Sequence, residues 1–320
     1  MAYLRNLQTN DKLHLLTHHT FGRRSGSVDT FIDQLEISKI HAVIEWNGQA
    51  WEIRNLGRNG TWVDQQKIPA AKNTALKTEQ IINFANLPQN DWKVENLDAP
   101  SNLLLGLNDC SITEQLSHYH LLPNSTTPMA ALYLCGTRGQ WILESHTDNY
   151  KNNGSNETVI SHNDYIVLSD YKWQLFLNTE QQQTLDVVEK QTNIDHIAFN
   201  FDVSLDEEHT QLKLDHQYET IDLGERSHHY LLLHLARLKA EHANQGVDNK
   251  SQGWINNEQL AKELGIDVSH INIQIFRARK QIADEFPGAT DLLQRRRGEV
   301  RFNCSQASIS KGDRIESLSY

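Results

Sequence analysis

Short apolar runs separated by turn signals fill the first hundred residues, and this pattern limits what the chain can form there. Most of the runs alternate apolar and polar residues, as strands with one buried face do. Gly, Asn and Pro separate them, and no run has the 3.6-residue period of an amphipathic helix. The runs are LHLL at 13–16, HAVIEW at 41–46, AWEIRNL at 50–56, TWVD at 61–64, IINFA at 81–85 and WKVENL at 92–97. We therefore predict an all-β sandwich over residues 1–98.

The remainder of the 320-residue chain changes pattern several times, in keeping with a length of two or three domains. The predicted regions are a β-rich middle domain at 99–180, a linker at 181–195, an α+β domain at 196–303 and a flexible tail at 304–320. The middle domain is interpreted as a degenerate copy of half the first sandwich. The basis for this interpretation is that Ala131, Gly136 and Trp141 follow one another in the same order of residue types as Ala42, Gly48 and Trp51.

Neither a membrane protein nor a metalloprotein is expected. No apolar run reaches the roughly 18 residues that a membrane span needs, and the N-terminus has no export signal, so we predict a cytoplasmic protein. Cys110, Cys135 and Cys304 are too scattered for a zinc site or a disulfide framework. His14 and His18 lie in a strand-like stretch, where four residues span about 13 Å, too far to share a metal. We predict no metal and no cofactor.

Charge favours nucleic-acid contact at one place in the chain. The net charge of −11 opposes nucleic-acid binding by the chain as a whole. Residues 277–301, however, hold seven basic and four acidic side chains and form a basic island. Because phosphate attraction is screened within about 10 Å at ordinary salt, this local charge decides the contact.

Four motifs in the first hundred residues stand in an order that suits phosphate recognition. A phosphothreonine site needs a guanidinium fork and hydroxyl donors held on rigid loops, and Arg23 and Ser38 supply these groups. The motifs are Gly22-Arg23, Ser38 to His41, Asn55 to Thr61, and Trp62 to Asp64. Together they resemble a forkhead-associated (FHA) domain over residues 1–98.

The FHA resemblance implies a role for each matching residue. Arg58 is expected to add a phosphate contact and Asn59 to bond the peptide backbone. The expected architectural residues are Gly22, His41, Gly60 and Thr61. Two positions depart from the family pattern: Gly57 replaces a frequent serine, and Asp64-Gln65 replaces Asn-Gly.

A helix and a hairpin near the C-terminus carry the basic island. On a helical wheel, Ile271, Ile275, Ala278 and Ile282 form one apolar stripe. The polar residues of a different face are Gln274, Arg277, Lys280 and Gln281. A helix of this kind fits a DNA major groove, where arginine bonds guanine. The segment RRRGEVR predicts a hairpin near Gly298 whose Arg295, Arg296 and Arg297 contact phosphates or the minor groove.

The segment 196–303 resembles the winged-helix DNA-binding domain of OmpR-type response regulators. By this resemblance Gln274 contacts phosphate, Arg277 reaches bases and Arg297 is the arginine of the wing. Val300 replaces a usual tyrosine, the hairpin is one residue shorter, and the loop at 266–269 is short. The first two departures affect the expected geometry of the wing, and the short loop affects the expected contact with RNA polymerase.

Two functions follow from these resemblances. The first is a cytoplasmic transcription regulator that binds a phosphothreonine-containing protein and double-stranded DNA. The second is a phospho-dependent scaffold in a Ser/Thr kinase pathway, whose winged helix binds protein. The phosphothreonine lies on a partner or on this chain, for example at Thr179, Thr184 or Thr192. RNA polymerase and a second copy of the chain are further partners left open. No catalytic signature occurs, so we expect no enzyme.

Overall fold

The computed structural model describes residues 1–136, 138–145, 157–178, 196–287 and 289–318. The predicted linker at 181–195, the three candidate threonines and most of the polar loop at 148–158 lie outside these residues. The chain divides into two compact units. Among the described residues, the first unit holds 1–103 and 176–178, and the second holds 104–175 and 196–318.

The first unit is a β-sandwich of two sheets. One sheet has the order β2-β1-β11-β10-β7-β8, with β1 (Tyr3–Asn6), β2 (Lys12–His14), β7 (Thr61–Val63), β8 (Gln66–Lys67), β10 (Ile81–Phe84) and β11 (Asp91–Asn96). The other has the order β4-β3-β5-β6-β9, with β3 (His18–Gly22), β4 (Thr30–Phe31), β5 (Ala42–Trp46), β6 (Trp51–Asn55) and β9 (Thr74–Ala75). A 3-10 turn spans Pro88–Asn90. Alternating burial along the strands places Phe21, Trp51 and Phe84 in the core.

The second unit begins with another pair of sheets, which we call the second sandwich. One has the order β13-β12-β19-β18, with β12 (Leu103–Gly106), β13 (Glu114–Gln115), β18 (Tyr165–Leu168) and β19 (Tyr171–Phe176). The other has the order β14-β15-β16-β17, with β14 (Tyr119–Leu122), β15 (Ala130–Cys135), β16 (Gln140–Ser145) and β17 (Glu157–Ile160). These orders repeat β2-β1-β11-β10 and β3-β5-β6-β9 of the first sandwich. Strands of both sheets are therefore present, rather than those of a half-sandwich alone.

The rest of the second unit combines two sheets and the three α-helices of the described residues. A five-stranded sheet has the order β22-β21-β20-β26-β27, with β20 (Ile197–Val203), β21 (Thr210–His216), β22 (Glu219–Glu225), β26 (Gln306–Lys311) and β27 (Arg314–Leu318). A small sheet has the order β23-β25-β24, with β23 (Ile255–Asn256), β24 (Leu293–Arg296) and β25 (Glu299–Phe302). The helices are α1 (Ser227–Asn244), α2 (Asn257–Leu264) and α3 (Val268–Glu285), and a 3-10 turn spans Ala289–Leu292. None of them is long and apolar enough to cross a bilayer.

Capping residues mark the start of α3 and both ends of α2. Asp267 caps α3 by accepting the His270 N–H at 2.7 Å, and Gly265 ends α2 in the left-handed conformation. The cap of α2 is Asn256, which accepts the Glu258 N–H at 2.8 Å. The predicted hairpin at Gly298 is confirmed by the pairing of β24 with β25. Assignment to the winged-helix family stays a prediction.

The predicted flexible tail at 304–320 was wrong over most of its length. Residues 306–311 pair in parallel with β20, and 314–318 return antiparallel to them. Ala307 and Ile309 are buried while Ser308 and Ser310 alternate with them. The alternation is only six residues long. Gly312, whose φ is +58°, lies in the turn that joins β26 and β27 into a hairpin.

Candidate functional site

His41 holds two loops together at one end of the first sandwich. Its ring is fully buried, with Nδ1 accepting the Ser38 N–H at 3.1 Å and Nε2 donating to the Gly60 carbonyl at 2.8 Å. Burial lowers the pKa of His41, and the bond to Gly60 offsets part of that effect. A neutral imidazole therefore bridges the two loops. The FHA resemblance implies this kind of position for His41.

Two glycines allow these loops to approach closely. A Cβ on Gly22 would lie 2.2 Å from the Lys39 carbonyl oxygen. A Cβ on Gly57 would lie 2.5 Å from the His41 ring, so the serine that the family often has would not fit here without movement. Gly60 turns the chain with φ of +91°, and the buried Thr61 hydroxyl then bonds Asn55 at 3.0 Å.

The four residues predicted to bind the phosphopeptide lie on adjoining segments of these loops. The Arg23 N–H donates to the Ser38 carbonyl at 3.1 Å, and the Arg58 N–H donates to the Ser38 hydroxyl oxygen at 3.2 Å. Both guanidinium groups are exposed. The Asn59 amide donates to the Glu36 carbonyl at 2.7 Å. The backbones of two arginine residues are thus bonded to Ser38. Among the described residues no bond donated by its hydroxyl occurs, so the hydroxyl can donate to an incoming acceptor.

Two further basic residues border the same loops and were not in the predicted set. Arg24 follows Arg23, and its N–H donates to the Lys39 carbonyl at 3.3 Å. Both side chains are exposed. In the sequence, Arg24 stands beside Arg23 in GRRSGS. That Lys39 lies next to this pair follows only from the hydrogen bond between the Arg24 N–H and the Lys39 carbonyl.

Asp64 and Gln65, the second departure from the family pattern, form the turn between β7 and β8. Both residues have positive φ, +49° and +65°. The Asp64 carboxylate accepts the Ile81 N–H at 2.9 Å and the Gln80 side chain at 3.0 Å. The carboxylate therefore braces a neighbouring strand, which the sequence alone did not indicate.

Comparison with known families agrees with this loop geometry. The model of the FHA domain family matches residues 19–85, which contain every loop residue described above. Residues 19–85 form an FHA domain. No curated protein matches the chain.

Several solved structures resemble the part of the chain that contains the FHA domain. Mycobacterium tuberculosis EmbR, solved with a low affinity phosphopeptide, is 21% identical with a TM-score of 0.27, over 31% of this chain and 25% of EmbR. The FHA domain of the CT664 protein from Chlamydia trachomatis is 23% identical with a TM-score of 0.26, over 30% and 96%. The FHA domain of an Arabidopsis thaliana hypothetical protein is 20% identical with a TM-score of 0.27, over 31% and 88%. This chain thus spans a quarter of the EmbR chain.

Among its described residues, the second sandwich has no counterpart of Arg23, Ser38 and His41 in the loop after β14. Pro123 follows β14 at the place where Arg23 follows β3. The connection from β14 to β15 covers only 123–129, whereas the FHA domain uses 23–41 and includes Ser38 and His41 there. The short loop instead accepts hydrogen bonds from α3.

Helix α3, the predicted DNA-reading helix, packs on the second sandwich. The Arg277 guanidinium donates to the Ser125 carbonyl at 3.3 Å and the Thr126 carbonyl at 2.6 Å. Gln274 is buried and bonds the Ser227 hydroxyl at 3.3 Å. Lys280 pairs with Asp284 at 2.7 Å one turn along the helix. The polar face that was expected to meet DNA therefore has partners within the protein.

The hairpin arginines divide into one buried and two exposed residues. Arg295 has a side chain only 10% exposed, which donates to Asn272 at 3.1 Å. Arg296 pairs with Glu299 at 2.6 Å and lies 4.2 Å from the Trp254 ring centre. Arg297 is exposed beside the turn at Gly298.

Glu144 on β16 is a buried acid that the sequence did not single out. Its carboxylate contacts the Arg279 guanidinium and lies 3.0 Å from Arg295 Nε. Burial is the largest single influence on the pKa of Arg279 and lowers it, but Glu144, Tyr119 and Tyr133 together outweigh burial and leave that pKa raised. For Arg295 burial prevails and the pKa is lowered. In the sequence, Arg279 follows Ile275 by four residues, and this spacing indicates that it lies on the buried face of the helix.

The face of the sheet around Glu144 is otherwise apolar. Tyr119, Ala131, Tyr133 and Ile142 form one buried cluster with Phe276 and Ala283 of α3. Among the described residues no group of three or more His, Cys, Asp or Glu side chains is placed to hold a metal ion.

Proposed function

We propose that this chain is a phosphothreonine-dependent binding protein rather than an enzyme, and that its FHA domain docks a threonine-phosphorylated protein in the cytoplasm. The observation that carries the proposal is the Ser38 hydroxyl with Arg23 and Arg58 beside it. A phosphothreonine has nearly two negative charges and three acceptor oxygens, which two guanidinium forks and a hydroxyl match. The His41 bridge supports these donors, so little ordering is needed on binding.

A binding titration tests this proposal. The best peptide from a phosphothreonine library is titrated against the full chain by calorimetry, beside its unphosphorylated form. Replacing Arg23 by alanine removes charge-assisted hydrogen bonds of about 1.5–3 kcal/mol, so affinity should fall about 10- to 150-fold. Equal affinity for the unphosphorylated peptide, or unchanged binding by Arg23→Ala, would refute the proposal.

Lys77→Ala is the matched control for that titration. Lys77 is exposed and lies before β10 begins, whereas the Gly60 carbonyl accepts the Ala85 N–H at 3.0 Å just beyond the other end of that strand. The control removes one positive charge from the same domain, away from the loop cluster. It should leave peptide affinity unchanged.

We propose DNA binding, and with it transcription regulation, as the second function, carried by Arg296 and Arg297. Their exposure at the tip of the β24–β25 hairpin favours it. The internal bonds of Gln274, Arg277 and Arg295 weigh against α3 reading bases in this arrangement. RNA polymerase and a second copy of the chain would be partners only of this regulator.

Salt-dependent binding to random-sequence duplex DNA separates the regulator from the scaffold. Each phosphate contact contributes about 0.9 to the slope of log affinity against log salt, so Arg297→Ala should reduce the slope by about one. Lys262→Ala, which removes an exposed charge from α2, is the control. Absence of salt-dependent binding, or an equal loss in both variants, would leave the phospho-dependent scaffold as the function.

A further inference from the structure

A cavity of about 420 Å³ in the second unit lies outside the FHA domain. The N-terminus of α1, one side of α3 and the loop after β14 surround it, and we call it the α1 pocket. Its charged lining residues are Arg226, Arg277, Lys280 and Asp284, and its lining also includes Ser227 and His228 of α1. This volume is in the range of small-molecule sites and exceeds what a single inorganic ion fills.

The charge of the α1 pocket is positive in an acidic protein. Arg226, Arg277 and Lys280 supply three positive charges against one negative charge from Asp284, a local net of +2. The chain as a whole carries −11. The Asp284 carboxylate lies within 3.0 Å of Lys280, so it neutralises one of the three cations and leaves the two arginines.

The Arg277 guanidinium is held in place with donors to spare. Two of its N–H groups bond the Ser125 and Thr126 carbonyls, and a guanidinium has five. Because the two carbonyls fix its orientation, the remaining donors are arranged before any ligand arrives. This lowers the entropy lost on binding.

Helix α1 begins at the pocket without a capping side chain. Arg226 is its N-cap residue and makes no side-chain cap bond, and the first turn contains no acidic residue. The first N–H groups of a helix lack intrahelical partners and favour an anion. Here they add to side-chain cations from two separate helices.

His228 is a buried member of the pocket lining. Burial is the main reason why its pKa is lowered to about 4; the Gln281 hydrogen bond opposes this, and His229, Arg226 and Arg277 add smaller lowering effects. The ring is therefore neutral at pH 7. Its Nε2 donates to the Gln281 side-chain oxygen at 2.6 Å.

We propose that the α1 pocket binds the phosphate group of a small phosphorylated organic molecule. The two arginines match a dianion in charge and in geometry, and arginine forks suit phosphate oxygens. The buried side chain of Leu121 forms part of the wall and provides an apolar surface for the organic part of the ligand. The site is separate from the FHA loops and does not depend on phosphothreonine binding.

Calorimetric titration of full-length Arg23→Ala with inorganic phosphate and with phenyl phosphate tests the proposal. This background disables the proposed FHA site, so the two sites are told apart. At constant ionic strength phenyl phosphate should bind more tightly than inorganic phosphate, because its ring buries against Leu121. Absence of phosphate binding in this background, or equal affinity for the two probes, overturns the proposal.

Substitutions assign the binding to the pocket. Adding Arg226→Ala should weaken phosphate binding at least tenfold. Adding Lys280→Gln should also weaken it, because the Asp284 carboxylate then keeps its negative charge without a cation beside it. Adding Lys262→Ala should change nothing. Arg226 is exposed, and within the described part of the chain its side chain bonds only the neighbouring Glu225 carbonyl, so unfolding should not accompany its loss. Circular dichroism and the melting temperature check this. Unchanged affinity in a folded Arg226→Ala variant refutes the site. Competition by duplex DNA for bound phenyl phosphate would assign the pocket to a nucleic-acid surface and also overturn it.

Discussion

Replacing Glu144 by alanine should destabilise the second unit more than any change on its surface. The carboxylate is fully buried and is shared by Arg279 and Arg295, whose side chains are 3% and 10% exposed. Without it, two guanidinium groups remain in a site that water does not reach. Removing one partner of a buried ion pair costs about 3–5 kcal/mol. The hydrogen bond from Arg279 to the Leu293 carbonyl remains, but it does not neutralise charge.

The expected change in melting temperature follows from the size of the unit. A domain of about 200 residues loses roughly 2–4 °C per kcal/mol, so the second unit should melt roughly 6–20 °C lower. Differential scanning calorimetry of the full chain measures this, and urea unfolding gives the free energy independently.

Glu157→Ala is the matched control because Glu157 is the register partner of Glu144 on the next strand. Its carboxylate pairs with Arg138 at 3.2 Å, and that arginine side chain is 53% exposed. It also accepts the Tyr133 hydroxyl at 3.3 Å. The exposed pair contributes about 0–1 kcal/mol and the hydrogen bond about 0.5–1.5 kcal/mol, so the control should cost less than Glu144→Ala. Equal losses in Glu144→Ala and Glu157→Ala would refute the idea that burial of the two arginines makes Glu144 essential.

Two further predictions concern packing in the FHA domain and acid stability of the second unit. Gly57→Ala should destabilise the FHA domain by about 1–3 kcal/mol, since the new methyl group meets the His41 ring; thermal unfolding measures this, and a loss below about 0.5 kcal/mol would contradict it. Hydrogen bonds from Arg237 and Lys311 lower the pKa of Glu207 from 4.5 to about 2. Its contribution is thus present above pH 4.5 and lost as the pH falls towards 2, so Glu207→Gln should be less stable than the natural chain by about 1 kcal/mol near neutrality. Urea unfolding at a series of pH values should show this difference disappearing by about pH 2.

The parts of the fold that were predictable from sequence have strong local signals. Helix α3 was predictable because Ile271, Ile275, Ala278 and Ile282 form one apolar stripe, and the β24–β25 hairpin because a turn glycine follows the arginines of RRRGEVR. The FHA motifs were recognisable because Gly22, Ser38 and His41 serve the loops through backbone approach and hydrogen bonds that few other residues provide. Because these residues act within one pair of loops, the spacing of the motifs along the chain is enough to recognise them.

The packing of α3 on the second sandwich was not predictable in the same way. The helix face that holds Arg277 suits either DNA or acceptors within the protein, and only the Ser125 and Thr126 carbonyls, about 150 residues earlier, decide between them. A partial signal existed in β15 and β16, where ALYLC and WIL are apolar at consecutive positions. Such runs indicate a sheet covered on both faces. What covers the second face depends on the tertiary fold.

The parallel pairing of β20 with β26 has a consequence for synthesis on the ribosome. Ser308 bonds Asn200 across 108 residues of chain, at the centre of the five-stranded sheet. Until residues 306–311 emerge, β20 has one open edge, a site where nascent chains pair wrongly. Contacts so distant in sequence also form slowly. The growing chain therefore completes this sheet only after β26 and β27 have left the ribosome, and a stop after residue 303 would leave one edge of the central strand unpaired.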